Sequence, residues 1–283
     1  MLRLKYKAKY STNYILIIDA LSDGELQNGK RLDEDLHDLF VARNEQFPRR
    51  CIKVSDISAF RTIFEGLEKM CQYGTQPLIH VEAHGDKIKG LKIGRDYLPW
   101  SELIKLVTPL NILTKNNCGL VLASCFGAEI SKFLQINKPC PFNFVIAPST
   151  KKEAGELRDK MTLFYKELLS SGSFNLALVH IGENFVFFDS SKYFIEDALI
   201  YFAGQLVLVG KPAKALREKI LSDVKREIGN AEIDIKLLRD EVKKLIASPE
   251  DIYTYHAEIF LHGNIPMPYR DFESLLSAAK PLK

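Results

Sequence analysis

Between Tyr14 and about Leu176, short apolar runs alternate with stretches in which apolar residues recur every three or four positions. The runs YILIIDAL (Tyr14–Leu21), CIKVSDI (Cys51–Ile57), PLIHVEAHG (Pro77–Gly85), CGLVLASC (Cys118–Cys125) and FNFVIAPS (Phe142–Ser149) are short and rich in Ile, Val and Leu, which predicts strands. Leu32, Leu36, Leu39 and Phe40 predict a helix, with Asp33, Glu34 and Asp35 placed where the dipole of a first turn favours negative charge. Phe60, Ile63, Phe64, Leu67 and Met70 form the i, i+3, i+4, i+7 stripe of a second helix, opened by Ser58. Ser101 caps a third, ELIKLVTPL, and Gly127–Gln135 and Met161–Leu169 predict two more. GLKIG (Gly90–Gly94) and DYLPW (Asp96–Trp100) flank a turn and predict a hairpin, with Trp100 as a packing anchor.

Strands separated by helices with few linking residues specify βαβ units and a mostly parallel sheet sandwiched by helices. The fold class read from the pattern is α/β. Near-continuous apolar strands agree with burial on both faces. The aromatic run FVFF (Phe185–Phe188) reads as core. Ala198–Val209 (ALIYFAGQLVLV) is the longest apolar run; it is too short to span a bilayer and reads as a buried helix or strand. Beyond Gly210 the pattern changes. Leu216, Ile220, Val224, Ile228, Ile235, Leu238, Val242 and Leu245 mark one long helix in Lys214–Ala247, or two broken at Gly229-Asn230. Pro249 ends it, and FLHGNIPMP is loop-like. The expected domains are therefore residues 1–205 and a helical extension, 206–283, which either packs on the domain or binds a partner.

Composition narrows the class. With 46% hydrophobic and 27% charged residues among 283, the chain is ordinary globular protein rather than disordered or low-complexity. Lys and Arg number 39 against 36 Asp and Glu, and so small an excess names no nucleic-acid partner. The alternating Arg3, Lys5, Lys7 and Lys9 suit an edge strand whose charges deter aggregation, and they occupy the place where a signal peptide would need an apolar stretch. Five cysteines include no CxxC pair and no zinc-like spacing. The expectation is a soluble, cytoplasmic protein with reduced thiols, no membrane span and no metal.

In a parallel sheet, ligands gather beyond the carboxyl ends of the strands. Two such ends carry chemistry here: His84-Gly85 and Ser124-Cys125-Phe126-Gly127. A cysteine attacks as thiolate, and an imidazole within reach can take its proton and later protonate a leaving amine. Cys125 is followed by the expected helix GAEISKFL, whose amides would favour a thiolate. Gly85 and Gly127 leave backbone uncovered, so the amides of Gly85 and Cys125 are the candidate oxyanion donors. Cys51, Cys71, Cys118 and Cys140 read as packing. Glu82 and His80 alternate with His84 along the strand. Glu82 can orient His84, all three can hold a metal, or Glu82 can be solvated or structurally paired. The metal reading suffers because i and i+4 lie ~13 Å apart on a strand. Asp19, Asp23 and Glu25 after the first strand, with Ser149, Thr150 and Glu153 after the fifth, are the candidate substrate pocket, and acids there would favour a basic substrate side chain.

HVEAHGD (His80–Asp86), GLKIGRDYLPWSEL (Gly90–Leu103) and LNILTKNNCGLVLASCFGAEI (Leu110–Ile130) resemble the caspase-like cysteine peptidases of clan CD, within it the bacterial CHAT-type branch. FNFVIAPST and FYKELLSSGSFNLAL resemble the next core strand and the closing helices, so the likeness spans roughly residues 10 to 205. It implies endopeptidase activity with Cys125 as nucleophile, His84 as base and acid, and no cofactor. It also implies a protein or peptide substrate and, in bacterial relatives, a defence or regulated-cleavage role with an activator protein. The chain departs from the caspase signature in carrying Ala123-Ser124 before its cysteine and Phe126 after it, so caspase specificity for aspartate is not carried over. Rival readings are a catalytically silent scaffold that docks a partner through its helical tail, and a small-molecule hydrolase using the same dyad.

Overall fold

The strand runs of the sequence reappear in a computed structural model, which describes residues 10–182, 184–206, 218, 221–222, 226, 234–245 and 249–279. In chain order the strands are β1 (Tyr14–Asp19), β2 (Arg49–Lys53), β3 (Pro77–Glu82), β4 (His84–Asp86), β5 (Gly90–Ile93), β6 (Asp96–Leu98), β7 (Gly119–Ala123), β8 (Phe144–Pro148) and β9 (Phe185–Asp189). Six form one sheet in the order β2-β1-β3-β7-β8-β9, parallel except for β9. The remaining three, β4-β5-β6, make a small antiparallel sheet. The fold is thus α/β, a mainly parallel six-stranded sheet flanked by helices.

Side-chain alternation divides the sheet into two buried faces. Ile15, Ile17, Leu78, Val121, Phe144 and Ile146 pack with Leu32, Leu36 and Phe40 of α1 (Asn28–Ala42) and with Met161, Phe164, Tyr165 and Leu168 of α4 (Ala154–Ser171). Ala177 of the short α5 (Phe174–Leu178) joins the same cluster. The intervening Leu16, Ile18, Ile79, Val81, Leu120 and Leu122 are buried as well. Two further helices, α2 (Ile57–Gln72) and α3 (Trp100–Leu113), pack on one another. Burial on both faces explains why these strands read as unbroken apolar runs. Trp100 is buried and donates its indole N–H to the Asp86 carbonyl at 3.2 Å, which ties the small sheet to α3.

Local details differ from the sequence reading for identifiable reasons. Helix α1 starts at Asn28, so Asp33 lies beyond its first turn and instead pairs with Arg49 at 2.9 Å. The cap of α2 is Asp56, which accepts the Ala59 N–H at 2.8 Å, and α3 starts at Trp100 behind Pro99 rather than at Ser101. FVFF forms an edge strand, with Phe188 buried and Phe187 partly exposed.

The chain divides into two compact units. One comprises the described residues of 10–135 and 139–190; the other takes in 136–138 and the described residues from 191 onward. The division falls after Ser190, fifteen residues before the expected position (205 − 190 = 15). The physical reason is α6 (Ser190–Leu206), whose Phe194 is fully buried against Tyr253 and Phe260 of the C-terminal unit. In that unit Pro249 opens the helix Pro249–Leu261, a position suited to a residue without an N–H. Tyr253 then packs on Phe272 of Tyr269–Ala279 and donates to the Met267 carbonyl at 2.9 Å. Of the segment 214–247, the structure describes the helix Ile235–Leu245 and a few residues before it. The expected break at Gly229-Asn230 and the basic start at Arg3–Lys9 lie outside the described residues. Among the described residues, no helix is long and apolar enough to cross a membrane.

Candidate active site

Strands β3 and β7 are parallel neighbours, and their last register pair is Glu82 with Ala123. His84 and Cys125 each follow two residues later, so both leave the sheet at the same carboxyl edge, on strands spaced by about 4.8 Å. Past Ala83 the chain turns out of the large sheet and pairs His84 with Lys92 and Gly85 with Leu91 in the small one. Here Gly85 lies against the Cys125 backbone. A Cβ on Gly85 would overlap the Cys125 carbonyl oxygen and Ser124 Oγ, and would stand 3.0 Å from the Cys125 carbonyl carbon. Only a glycine lets the two loops close on one another. The buried Ser124 hydroxyl, in the same contact, has no hydrogen-bond partner among the described residues.

Cys125 is half-buried, and its sulfur accepts the Lys152 N–H at 3.3 Å and lies 3.5 Å from the Lys152 carbonyl. Phe126 then adopts a left-handed backbone (φ 59°), rare for a bulky side chain, and turns the chain into the short 3-10 helix Gly127–Phe133. The expected α-helix after Cys125 is absent, so the sulfur sits between the amide and the carbonyl of Lys152 instead of at a helix N-terminus. The Phe126 N–H is committed to the Thr150 carbonyl (3.3 Å) and that of Gly127 to Ser124 (3.1 Å), whereas the Cys125 N–H is committed to neither. Burial pushes the Cys51 thiol up to about 11 and that of Cys71 up to about 12, and raises Cys118 and Cys140 as well.

His84 is half-exposed (52% of its side chain) and its Nε2 sits 2.7 Å from Glu25 Oε1. The other Glu25 oxygen, Oε2, accepts the Ser22 N–H at 2.7 Å. These bonds, the one from His84 foremost, hold the Glu25 carboxyl below its ordinary range. Glu82, which the strand alternation offers either as a partner to orient His84 or as a structurally paired acid, is structurally paired. It is buried and lies 3.0 Å from His80 Nε2, while His80 Nδ1 meets the Tyr165 hydroxyl at 3.2 Å. The strand ends at Glu82, so His84 leaves the face that His80 and Glu82 share, and the three do not converge on a metal. No hydrogen bond joins His84 to Cys125: their partners are Glu25 and Lys152.

A substitution separates the two carboxylates. Glu82→Ala is expected to destabilise the protein by about 2–4 kcal/mol, because it opens a cavity and strips a buried imidazole of its partner. Glu82→Gln keeps an acceptor in reach of His80 and is expected to fold with Cys125 as reactive as in wild type. Urea unfolding and alkylation kinetics check both, and loss of Cys125 reactivity in folded Glu82→Gln would return the orienting role to Glu82.

The acid-lined pocket does not form as expected. Asp19 is buried, accepts the Leu21 N–H at 2.9 Å and pairs with Lys53 at 3.5 Å. Glu25 is consumed by His84 and Ser22. Asp23 and Glu153 are exposed. Ser149 donates its N–H and hydroxyl to the Asn184 carbonyl, and Thr150 supports Phe126, so both act as props for the turn behind Cys125. With its acids paired or solvated, this rim gives no basis for a basic-residue preference. A cavity of about 480 Å³ lined by Phe40, Phe47, His37 and Arg49 lies at the opposite, amino-terminal edge of β2. In comparisons with known proteins, no family model matches the chain and no curated protein matches its sequence.

Proposed function

We propose that the chain is a caspase-like cysteine endopeptidase acting on a protein or peptide substrate through Cys125 and His84. The observation that supports the reading is the register of β3 and β7, which ends the two strands that lead to His84 and Cys125 at one edge, with Gly85 packed on the Cys125 carbonyl. In the first step His84 accepts the Sγ proton as sulfur bonds to the substrate carbonyl carbon. The Cys125 and Gly85 amides receive the oxyanion. The C–N bond then breaks, the leaving amine takes the proton from His84, and an acyl-enzyme remains. Water, deprotonated by His84, adds to the thioester, and the proton returns to sulfur as the carboxylic acid departs. The cycle closes on these residues and consumes one water; it calls on no metal or organic cofactor. An activator protein and a bacterial defence or regulated-cleavage setting rest on family analogy.

One observation favours a second reading, a silent scaffold that binds a partner through the C-terminal helices: His84 and Cys125 bond to other groups instead of to each other. Catalytic hydrogen bonds are often loose before substrate binds, so labelling separates the two. A thiol-directed acylating probe at pH 7.5 is expected to label Cys125 at least tenfold faster than any other cysteine, since burial keeps the other four as thiols. Equal labelling of Cys125 and Cys51 would favour the scaffold.

A further inference from the structure

Glu25 reaches His84 from the loop between β1 and α1, and its carboxylate is bonded at both oxygens, Oε1 to the imidazole and Oε2 to the Ser22 amide, each at 2.7 Å. The Ser22 N–H can only donate, and it fixes the carboxylate from one side. A carboxylate in turn can only accept, so the His84 nitrogen it touches, Nε2, must carry the proton. That leaves Nδ1 as the one ring nitrogen able to accept the Cys125 proton. Both side chains stay partly open to solvent, 52% for His84 and 38% for Glu25, so a substrate can reach the pair while it is formed.

We infer that Glu25 is the positioning residue of this site, holding His84 in the Nε2–H tautomer so that Nδ1 serves as the base for the Cys125 thiol. The inference rests on the peptidase reading and adds to it a third side chain, Glu25, in the place the sequence offered to Glu82. In the first step the Sγ proton passes to Nδ1, the imidazolium keeps its Nε2–H on Glu25, and Glu25 itself neither gains nor loses a proton. When the leaving amine takes the Nδ1 proton, the ring returns to the tautomer it started from. Glutamine at position 25 cannot do the same. It has one acceptor atom for two donors, and if it keeps the Ser22 bond it presents N–H to Nε2. The ring then carries its proton on Nδ1, the nitrogen the thiol needs free.

The test uses the full chain with iodoacetamide as the probe, which forms an S–C bond at a thiolate and releases iodide. Glu25→Gln is expected to slow alkylation of Cys125 at pH 7 by roughly a hundredfold, the low end of a general-base contribution, at an unchanged thermal midpoint. Glu25→Asp, which restores two acceptors, is expected to recover part of the rate. Imidazole ¹⁵N shifts of His84 at pH 8 are expected to report the Nε2–H form in wild type and Glu25→Asp, and Nδ1–H in Glu25→Gln. Wild-type tautomer and rate in Glu25→Gln, with alkylation still slow in His84→Ala, would overturn the role of Glu25 alone. A rate in His84→Ala equal to wild type would overturn the dyad itself. Should Glu25→Gln lower the thermal midpoint, Glu25→Asp decides, because a folded Glu25→Asp with an Nδ1–H ring contradicts the inference.

Discussion

On the peptidase reading, Cys125→Ala is expected to abolish peptide-bond cleavage, a loss of roughly 10⁴-fold or more, while the fold stays intact. The substitution removes one sulfur atom. That atom is half-buried and touches only the Lys152 backbone through hydrogen bonds, so its removal costs stability about 1 kcal/mol or less. Chemistry, by contrast, loses its only bond-forming atom, and no neighbouring group can replace it: Ser124 points its hydroxyl into a closed contact with Gly85, and the other thiols are buried in the core or, like Cys51, sit on another strand. Digests of a mixed peptide library, compared by mass spectrometry with thermal melts alongside, check both halves. Cleavage sites that persist in Cys125→Ala would remove the assignment of the nucleophile.

Gly85→Ala is expected to lower stability and to damage the site at the same time. A methyl there must displace the Cys125 carbonyl, and backbone cannot swing aside as a flexible side chain can. Overpacking of this kind costs about 1–3 kcal/mol or more, and at this size each kcal/mol lowers the midpoint by about 2–4 °C. Moving Cys125 by even about 1 Å relative to His84 can cost a further hundredfold in rate. The expected result is therefore a lower midpoint together with a loss of Cys125 reactivity larger than the fraction unfolded explains. Gly66 supplies the opposite sign. It lies within α2 with nothing near its missing side chain, so Gly66→Ala is expected to stabilise by about 1 kcal/mol and leave reactivity unchanged.

How much of this was legible in the sequence follows from which interactions are local. Apolar runs and 3.6-residue stripes report burial directly, so all five parallel strands and the four helices α1 to α4 were readable. The strand ends that carry His84 and Cys125 were readable too, because an apolar run that stops at a glycine-bearing turn is a pattern in one short stretch. The second sheet was half seen: the hairpin of β5 and β6 is local, but its third strand, β4, depends on the chain leaving β3 at Ala83. That same bend defeated the alternation argument for Glu82, which holds only while the strand stays straight. Glu25 lies 59 residues from His84, and nothing in its surroundings separates it from Asp23 or Asp19. Asp19 reads as a pocket acid until Lys53 of the neighbouring strand is placed beside it. The 3-10 helix after Cys125 is set by the turn at Phe126 and its bond to Thr150, and neither is encoded in the GAEISKFL pattern.

The most direct test of the central claim, that one imidazole activates one thiol, is the second-order rate of Cys125 acylation at pH 7.5 in wild type and in folded His84→Ala. A fall of at least tenfold at Cys125, with the slow labelling of Cys51 unaltered, is the outcome expected if the two groups work as a pair. Identical Cys125 rates in the two proteins would mean that sulfur and imidazole share an edge of the sheet without sharing a function.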